Sequence, residues 1–320
     1  MEVAQRNAIV WLDGPAEGAW NMAMDDAMVQ LAAEENCIIL RLYQWSRPTL
    51  SLGYFQKFDE RDSISNLADI DCVRRVTGGG AIVHDQELTY SLAIPKSFED
   101  LHTVHPYATP LTSGAGNRSN TVSRLRHAEW LYRAVHSRVK DWLVDLGFEA
   151  NIYEALRTSP DEKAETGISM DSKKEDTTAF LCFDRRSEID IVVGTLESEQ
   201  KVLGSAQRRT SGTLLQHGSL LLAPSLSVPH LLGLTQQVGV GPKLPLASAQ
   251  VPEQLIMKKW EWAIDFCGIL QDSIDSIWDC DWSYREPEER VLDRAREICE
   301  TRYNNESWFL RHVKTSDSLA

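Results

Sequence analysis

Residues 188–222 read EIDIVVGTLESEQKVLGSAQRRTSGTLLQHGSLLL. Glu188 to Val193 alternates polar and apolar side chains, and Lys201–Ala206 and Thr213–Leu222 are two further strand-like runs separated by turn-length segments. Strands joined this closely pair as antiparallel hairpins. Upstream, Cys37–Tyr43, Thr49–Leu52, Asp71–Val76, Ala81–Val83 and Thr89–Ile94 are short strand candidates, punctuated at Ser46-Arg47-Pro48 and around the triple glycine 78–80. Asn21–Leu31 sets Met24, Ala27, Met28 and Leu31 on one helical stripe, and this helix is expected to start the domain. Arg124–Leu146 keeps helical spacing through Ala128, Leu131, Val135, Val139 and Trp142, with Gly147 at a left-handed cap position and a return to sheet over Phe148–Tyr153. Two helices are expected to close the chain, the last carrying Val291, Ala295, Ile298 and Cys299 on one face after Pro287. The fold class is therefore α/β of the α+β type, with mixed, largely antiparallel β-sheets flanked by helices. Grouped hairpins argue against a doubly wound sheet.

The chain has no internal repeat and no linker-like composition, so residues 1–320 are read as a single domain. Two stretches read as surface insertions: 96–123, poor in aliphatics, and 157–178, with alternating charges that cannot offset chain entropy by burial. With 33 Lys+Arg against 47 Asp+Glu the net charge is −14, which disfavours nucleic acid as a partner. No apolar run approaches the ~18 residues of a membrane helix. Met1–Asn7 has no secretory pattern, so a cytoplasmic location is expected. Cys37, Cys72, Cys182, Cys267, Cys280 and Cys299 form no C-x-x-C pair and read as free thiols. His102 and His105 are a close histidine pair without a nearby cysteine, and no metal site is expected.

Three clusters could carry chemistry. Arg74-Arg-Val-Thr-Gly-Gly-Gly-Ala-Ile-Val-His-Asp85 lacks the Lys-Ser/Thr of a Walker loop and the dinucleotide fingerprint, so its glycines make either a tight turn or a close approach of backbone N–H groups to a ligand. Lys201-Val-Leu-Gly-Ser-Ala-Gln207 with Leu215-Gln-His-Gly-Ser-Leu220 places small residues across a hairpin, where they could thin the sheet into a channel. Cys182 is either a small buried hydrophobe or a nucleophile, and a hairpin through Gly194–Gln200 could bring the Lys201 ammonium to it.

Together with Trp20–Asp25, Arg41–Trp45, Leu50–Gln56 and Thr301–Trp308, these clusters resemble the lipoate/octanoate branch of the biotin/lipoate protein ligase family. His84-Asp-Gln-Glu-Leu-Thr-Tyr-Ser91 and Ala179-Phe-Leu-Cys-Phe-Asp184 are most similar to the LipM-type octanoyltransferases, although Gly80 stands where that type carries arginine. The resemblance implies the biotin/lipoate ligase catalytic-domain fold. It implies that an octanoyl group passes from octanoyl-acyl carrier protein to Cys182 as a thioester, and then to a lipoyl-domain lysine of a 2-oxoacid dehydrogenase subunit or glycine cleavage H protein. Lys201 would contact the acyl carbonyl and keep the thiol ionised. Arg75, Gly78, Gly79, Gly80, His84, Gly204, Ser205, Ala206, His217 and Gly218 would bind substrate, with His84 and His217 positioning rather than moving protons. Arg74-Arg75, Arg185-Arg186 and Arg208-Arg209 are candidate basic spots for acidic partner domains. No cofactor is implied. The alternatives are an ATP-dependent lipoate–protein ligase, which would use ATP and magnesium, and a non-catalytic acyl-carrier-binding protein.

Overall fold

Two long strands, β1 (Arg6–Ala16) and β2 (Ile38–Trp45), lie parallel in register from Ala8↔Ile38 to Leu12↔Leu42. Parallel neighbours need a crossover, and α1 (Gly18–Glu35) supplies it. Asn36 ends that helix in the left-handed conformation at φ 52°, its N–H donating to the Ala32 carbonyl. The structure is a computed structural model that describes residues 5–64, 66–67, 69–99, 121–154, 179–195, 198–234 and 253–310.

After β3 (Thr49–Leu52), β4 (Asp71–Arg74), β5 (Ile82–His84) and β6 (Glu87–Pro95) come one helical turn, α2 (Lys96–Glu99), and the long α3 (Thr121–Asp145). Then follow β7 (Ala150–Ile152), β8 (Ile191–Val193), β9 (Gln200–Arg209), β10 (Thr213–Leu221), α4 (Glu253–Asp275), β11 (Cys280–Tyr284) and α5 (Glu289–Ile298). Eight strands form one sheet in the order β11-β1-β2-β6-β10-β9-β8-β7, parallel across the first two pairs and antiparallel from β2 onward. A small second sheet, β4-β3-β5, carries the Arg74–His84 segment.

The large sheet is covered on both faces, which is why β2, β6 and β10 are buried almost throughout. One face packs Leu40, Leu42, Tyr90, Leu92 and Leu220 against Leu131, Val135 and Val139 of α3 and Phe266 and Leu270 of α4. The other packs Ile9, Trp11, Ile39 and Leu215 against Met24, Met28 and Leu31 of α1, with Val291 and Ala295 of α5 behind them.

The expectation that a helix starts the domain is corrected, because β1 precedes α1. Its Ala8, Ile9, Val10 and Trp11 are buried on both faces and therefore show no alternation. A second correction concerns the closing segment, where β11 separates the two helices as a half-exposed edge strand pairing parallel with β1. The strand expected over Glu188–Val193 is confined to Ile191–Val193, because an Asp190 carboxylate oxygen accepts from the Ser187 N–H at 2.7 Å and makes a turn there. Of the two insertions, 96–99 is helical and 121–123 already belongs to α3, while 100–120, with His102 and His105, and 157–178 lie outside the described residues. Gly147 follows α3 at φ 90°, as its cap position requires.

Within the core, Arg41 on β2 is fully buried between two carboxylates, Asp13 at 2.6 Å and Asp25 at 2.9 Å. Burial alone would raise the Asp25 pKa, but a hydrogen bond from His217, the Arg41 charge and the Ser91 hydroxyl together hold it below the ordinary 3.8. Its stabilising contribution is therefore complete above that value and is lost as the pH falls through the lower folded-state value. Replacing Arg41→Met strands the buried carboxylates, and urea unfolding at neutral pH is expected to show a loss of about 3–5 kcal/mol. The gap between wild type and variant should narrow as the buffer is acidified below 3.8. A gap independent of pH would contradict this account.

Candidate active site

The face of the large sheet that carries α1 also carries a row of polar side chains. Register places Arg41 beside Ser91, Ser91 beside His217 and His217 beside Ala206, and one step along it places Tyr43, Thr89, Ser219 and Gly204 in line. Alternate residues on each strand point the same way, so Glu87, Thr89 and Ser91 face the space between the two sheets together with His217 and Ser219. A cavity opens there. Its walls include Met22, Tyr43, Ile82, Arg75, Gly79, His84, Cys182, His217 and Gly218, with the Gly204-Ser205-Ala206 backbone along one side.

Cys182 begins a single tight helical turn after a segment strapped to the small sheet. Ala81 donates to the Phe180 carbonyl at 2.9 Å, and the Cys182 N–H donates back to Ala81 at 2.7 Å. Gly80 lies directly beneath this strap. A Cβ at residue 80 would stand 2.9 Å from both the Cα and the N of Cys182, so close approach demands glycine there.

Lys201 lies at the start of β9, beside a bulge where β8 and β9 change register between Ile191 and Val192. Its Nζ stands 3.5 Å from Cys182 Sγ, 3.2 Å from the Cys182 carbonyl oxygen and 2.8 Å from Asp190. Burial works against the charge, but the sulfur and the Asp190 carboxylate outweigh it and hold the ammonium above the ordinary lysine value. The separation of 19 positions between thiol and amine is closed by the β8–β9 hairpin. Gly204 makes room for the amine, since a Cβ there would meet Lys201 Cε at 2.5 Å. Burial pushes the Cys72 thiol up to about 12 and the Cys37 and Cys267 thiols to about 11.

Arg75 is buried, and its guanidinium donates to neutral groups: the Ser51 carbonyl and hydroxyl, Thr77 Oγ1, and the Gly78 and Gly80 carbonyls. Burial pulls its guanidinium down to about 10, which leaves it fully charged at neutral pH. The cavity thus has one cation at its wall, and a second, Lys201, stands behind the Cys182 sulfur that lines it. Gly78 and Gly80 do not line it: Gly78 supplies a carbonyl to Arg75, and Gly80 supports Cys182. Arg74 is not a surface charge either, because its guanidinium is buried and donates to the carbonyls of Gly53, Gln56 and Phe309.

Sequence reasoning did not single out Asp190, Ser51, Glu87 or Asp25 as site residues. The visible signal was polar alternation within runs too apolar to be surface strands, as in Glu87-Leu-Thr-Tyr-Ser91. Asp190 gave none, because a carboxylate in a turn looks solvated. Among the described residues no cluster of His, Cys, Asp and Glu could hold a metal ion, and no helix is long and apolar enough to cross a membrane.

The lipoyl protein ligase A/B catalytic domain profile matches residues 17–237. The octanoyltransferase LipM of Macrococcus caseolyticus is 32% identical over 218 residues, 67% of this chain and 65% of that protein. The matched stretch thus spans just under two thirds of that relative's length. The octanoyltransferase LipM of Brevibacillus brevis is 30% identical over 309 residues, 92% of this chain and 95% of that protein. Among solved structures, the putative lipoate protein ligase Ta0514 from T. acidophilum superposes with a TM-score of 0.57 at 19% identity, covering 96% of this chain and 99% of that one. Lipoate-protein ligase A bound with ATP gives 0.55 at 18%, with the same coverage. Such identities indicate a shared fold.

Because the backbone of Cys182 rests on Gly80, Gly80→Ala must displace the sulfur from the amine. Alkylation of Cys182 by iodoacetamide, followed by peptide mapping, is expected to slow about tenfold while the fold is retained. Unchanged labelling would show that the strap does not depend on this contact.

Proposed function

The chain belongs to the lipoyl protein ligase A/B catalytic-domain family, and from that premise we propose that it is an acyltransferase that carries an octanoyl group as a thioester on Cys182. The observation that carries this reading is the Lys201 ammonium 3.5 Å from Cys182 Sγ, a sulfur that lines the cavity between the two sheets. The sulfur is the attacking atom, and the Lys201 amine is in contact with it where the carbonyl oxygen of a bound thioester would come to lie. Attack on the thioester of octanoyl-acyl carrier protein forms the Cys182 thioester and expels the carrier thiolate. A lysine amine of a lipoyl domain, on a 2-oxoacid dehydrogenase subunit or glycine cleavage H protein, then takes the chain as an amide. Thioester to amide is downhill, so neither nucleotide nor metal takes part. The oxyanion of each tetrahedral intermediate needs donors already in place. Lys201 can serve as one of them, and the buried Arg75, which lines the cavity, adds positive potential.

The acidic partner domains would approach Arg185-Arg186 and Arg208-Arg209, on either side of the cavity in sequence. The reading is of a cytoplasmic enzyme, where free thiols persist.

Incubating the full chain with octanoyl-carrier thioester, without ATP, is expected to add the mass of one octanoyl group, mapped to Cys182. Cys182→Ser is expected to lower transfer to a lipoyl domain by roughly a thousandfold or more. An acyl-adenylate formed from free octanoate and ATP, with activity surviving Cys182→Ala, would instead identify a ligase. Association with the carrier thioester without any transfer would identify a binding protein.

A further inference from the structure

Two histidines line the cavity, and each sits between a hydroxyl and a carboxylate. His217 lies 2.6 Å from Thr77 Oγ1 and 3.2 Å from Asp25, while His84 lies 2.7 Å from Ser51 Oγ and hydrogen-bonds Glu87 through Nδ1. The two settings differ in charge. Asp25 has a permanent cation beside it, Arg41 at 2.9 Å, which it shares with Asp13. Among the described residues, the groups that touch the Glu87 carboxylate are His84, Thr89 and Ser219, none of them a permanent cation. A proton arriving on His84 would neutralise a buried anion. His217 instead faces a carboxylate that already has a permanent cation in contact with it.

Hydrogen-bond directions around His84 follow from the same contacts. Glu87, held as a carboxylate by its three donors, can only accept, so Nδ1 carries the imidazole proton and Nε2 is the acceptor. Arg75 Nη1 donates to Ser51 Oγ at 3.0 Å, which leaves the Ser51 hydroxyl to donate to Nε2. Trp45 stacks on the imidazole at 3.8 Å and holds the ring in that plane. Burial, which outweighs Glu87, keeps His84 below the ordinary histidine value, so the ring is neutral and available before the reaction.

Resting on the transferase reading above, we propose that His84, through Ser51 and backed by Glu87, is the proton acceptor of the second step. The neutral amine nitrogen attacks the carbonyl carbon of the Cys182 thioester. The C–N bond forms, the C–S bond breaks and the sulfur leaves as a thiolate. The surplus proton on nitrogen passes to Ser51 Oγ while the serine's own proton passes to His84 Nε2. The imidazolium, paired with Glu87, returns its proton to solvent once the amide product departs. The first step needs no such acceptor, because a thiolate attacks and a thiolate leaves.

The test separates the two half-reactions. Wild type, His84→Gln, Glu87→Gln and Ser51→Ala are mixed with octanoyl-carrier thioester, and formation of the Cys182 adduct is followed by quenched intact-mass measurement. An apo lipoyl domain is then added and decay of the adduct is timed. In the His84 and Glu87 variants the second step is expected to slow about a hundredfold more than the first. Ser51→Ala should show the same asymmetry, and it decides the matter if the His84 variant does not fold. Equal slowing of both steps, no slowing, or the asymmetry in His217→Asn instead would overturn the assignment. Failure of the wild-type chain to form the adduct would overturn the transferase reading, a different result seen before any variant is compared.

Discussion

A buried ammonium must have an anion beside it, and around Lys201 that requirement organises the site. Asp190 at 2.8 Å supplies the negative charge, and Cys182 Sγ accepts from the same ammonium at 3.5 Å. Each partner is held by a different piece of chain. Lys201 comes from β9, Asp190 from the turn before β8, and Cys182 from the strap on Ala81. Bringing the three together takes the β8–β9 hairpin, the bulge beside Lys201, and two glycines that leave room, Gly204 for the amine and Gly80 for the Cys182 backbone.

The rest of the cavity belongs to the large sheet. Strands covered on both faces should be apolar throughout, yet β6 and β10 send Glu87, Thr89, Ser91, His217 and Ser219 into the space facing the small sheet. Each of these groups has a partner, as burial requires. Arg75 ties the two sheets' chemistry together, since its guanidinium donates both to Ser51 and to Thr77, the hydroxyls that face the two histidines. The interior is therefore polar in one patch and apolar elsewhere, which suits a fatty chain with a reactive carbonyl at one end.

Periodicity made α1, α3 and the β9–β10 hairpin legible, because each has one rhythm and clear punctuation such as Gly147. It failed at β1, where burial on both faces erases alternation, and at β11, whose Cys-Asp-Trp-Ser-Tyr run is an edge strand without an apolar pattern. At the site, the pairing of Cys182 with Lys201 could be anticipated from a hairpin and a family resemblance. Asp190 could not, because its role depends on the shortened β8 and a bulge, neither of which leaves a mark on residue type. The glycines at 78–80 were visible as a group, but their separate duties depend on which of them faces Arg75 and which lies under the Cys182 strap.

The most direct test of the account is a crystal structure of the full chain after reaction with octanoyl thioester. It predicts continuous density from Cys182 Sγ into an octanoyl chain, with the carbonyl oxygen toward the Lys201 amine and the tail along the Gly204–Ala206 wall. An unmodified Cys182 with the acyl group bound elsewhere, or held as a mixed anhydride, would contradict it.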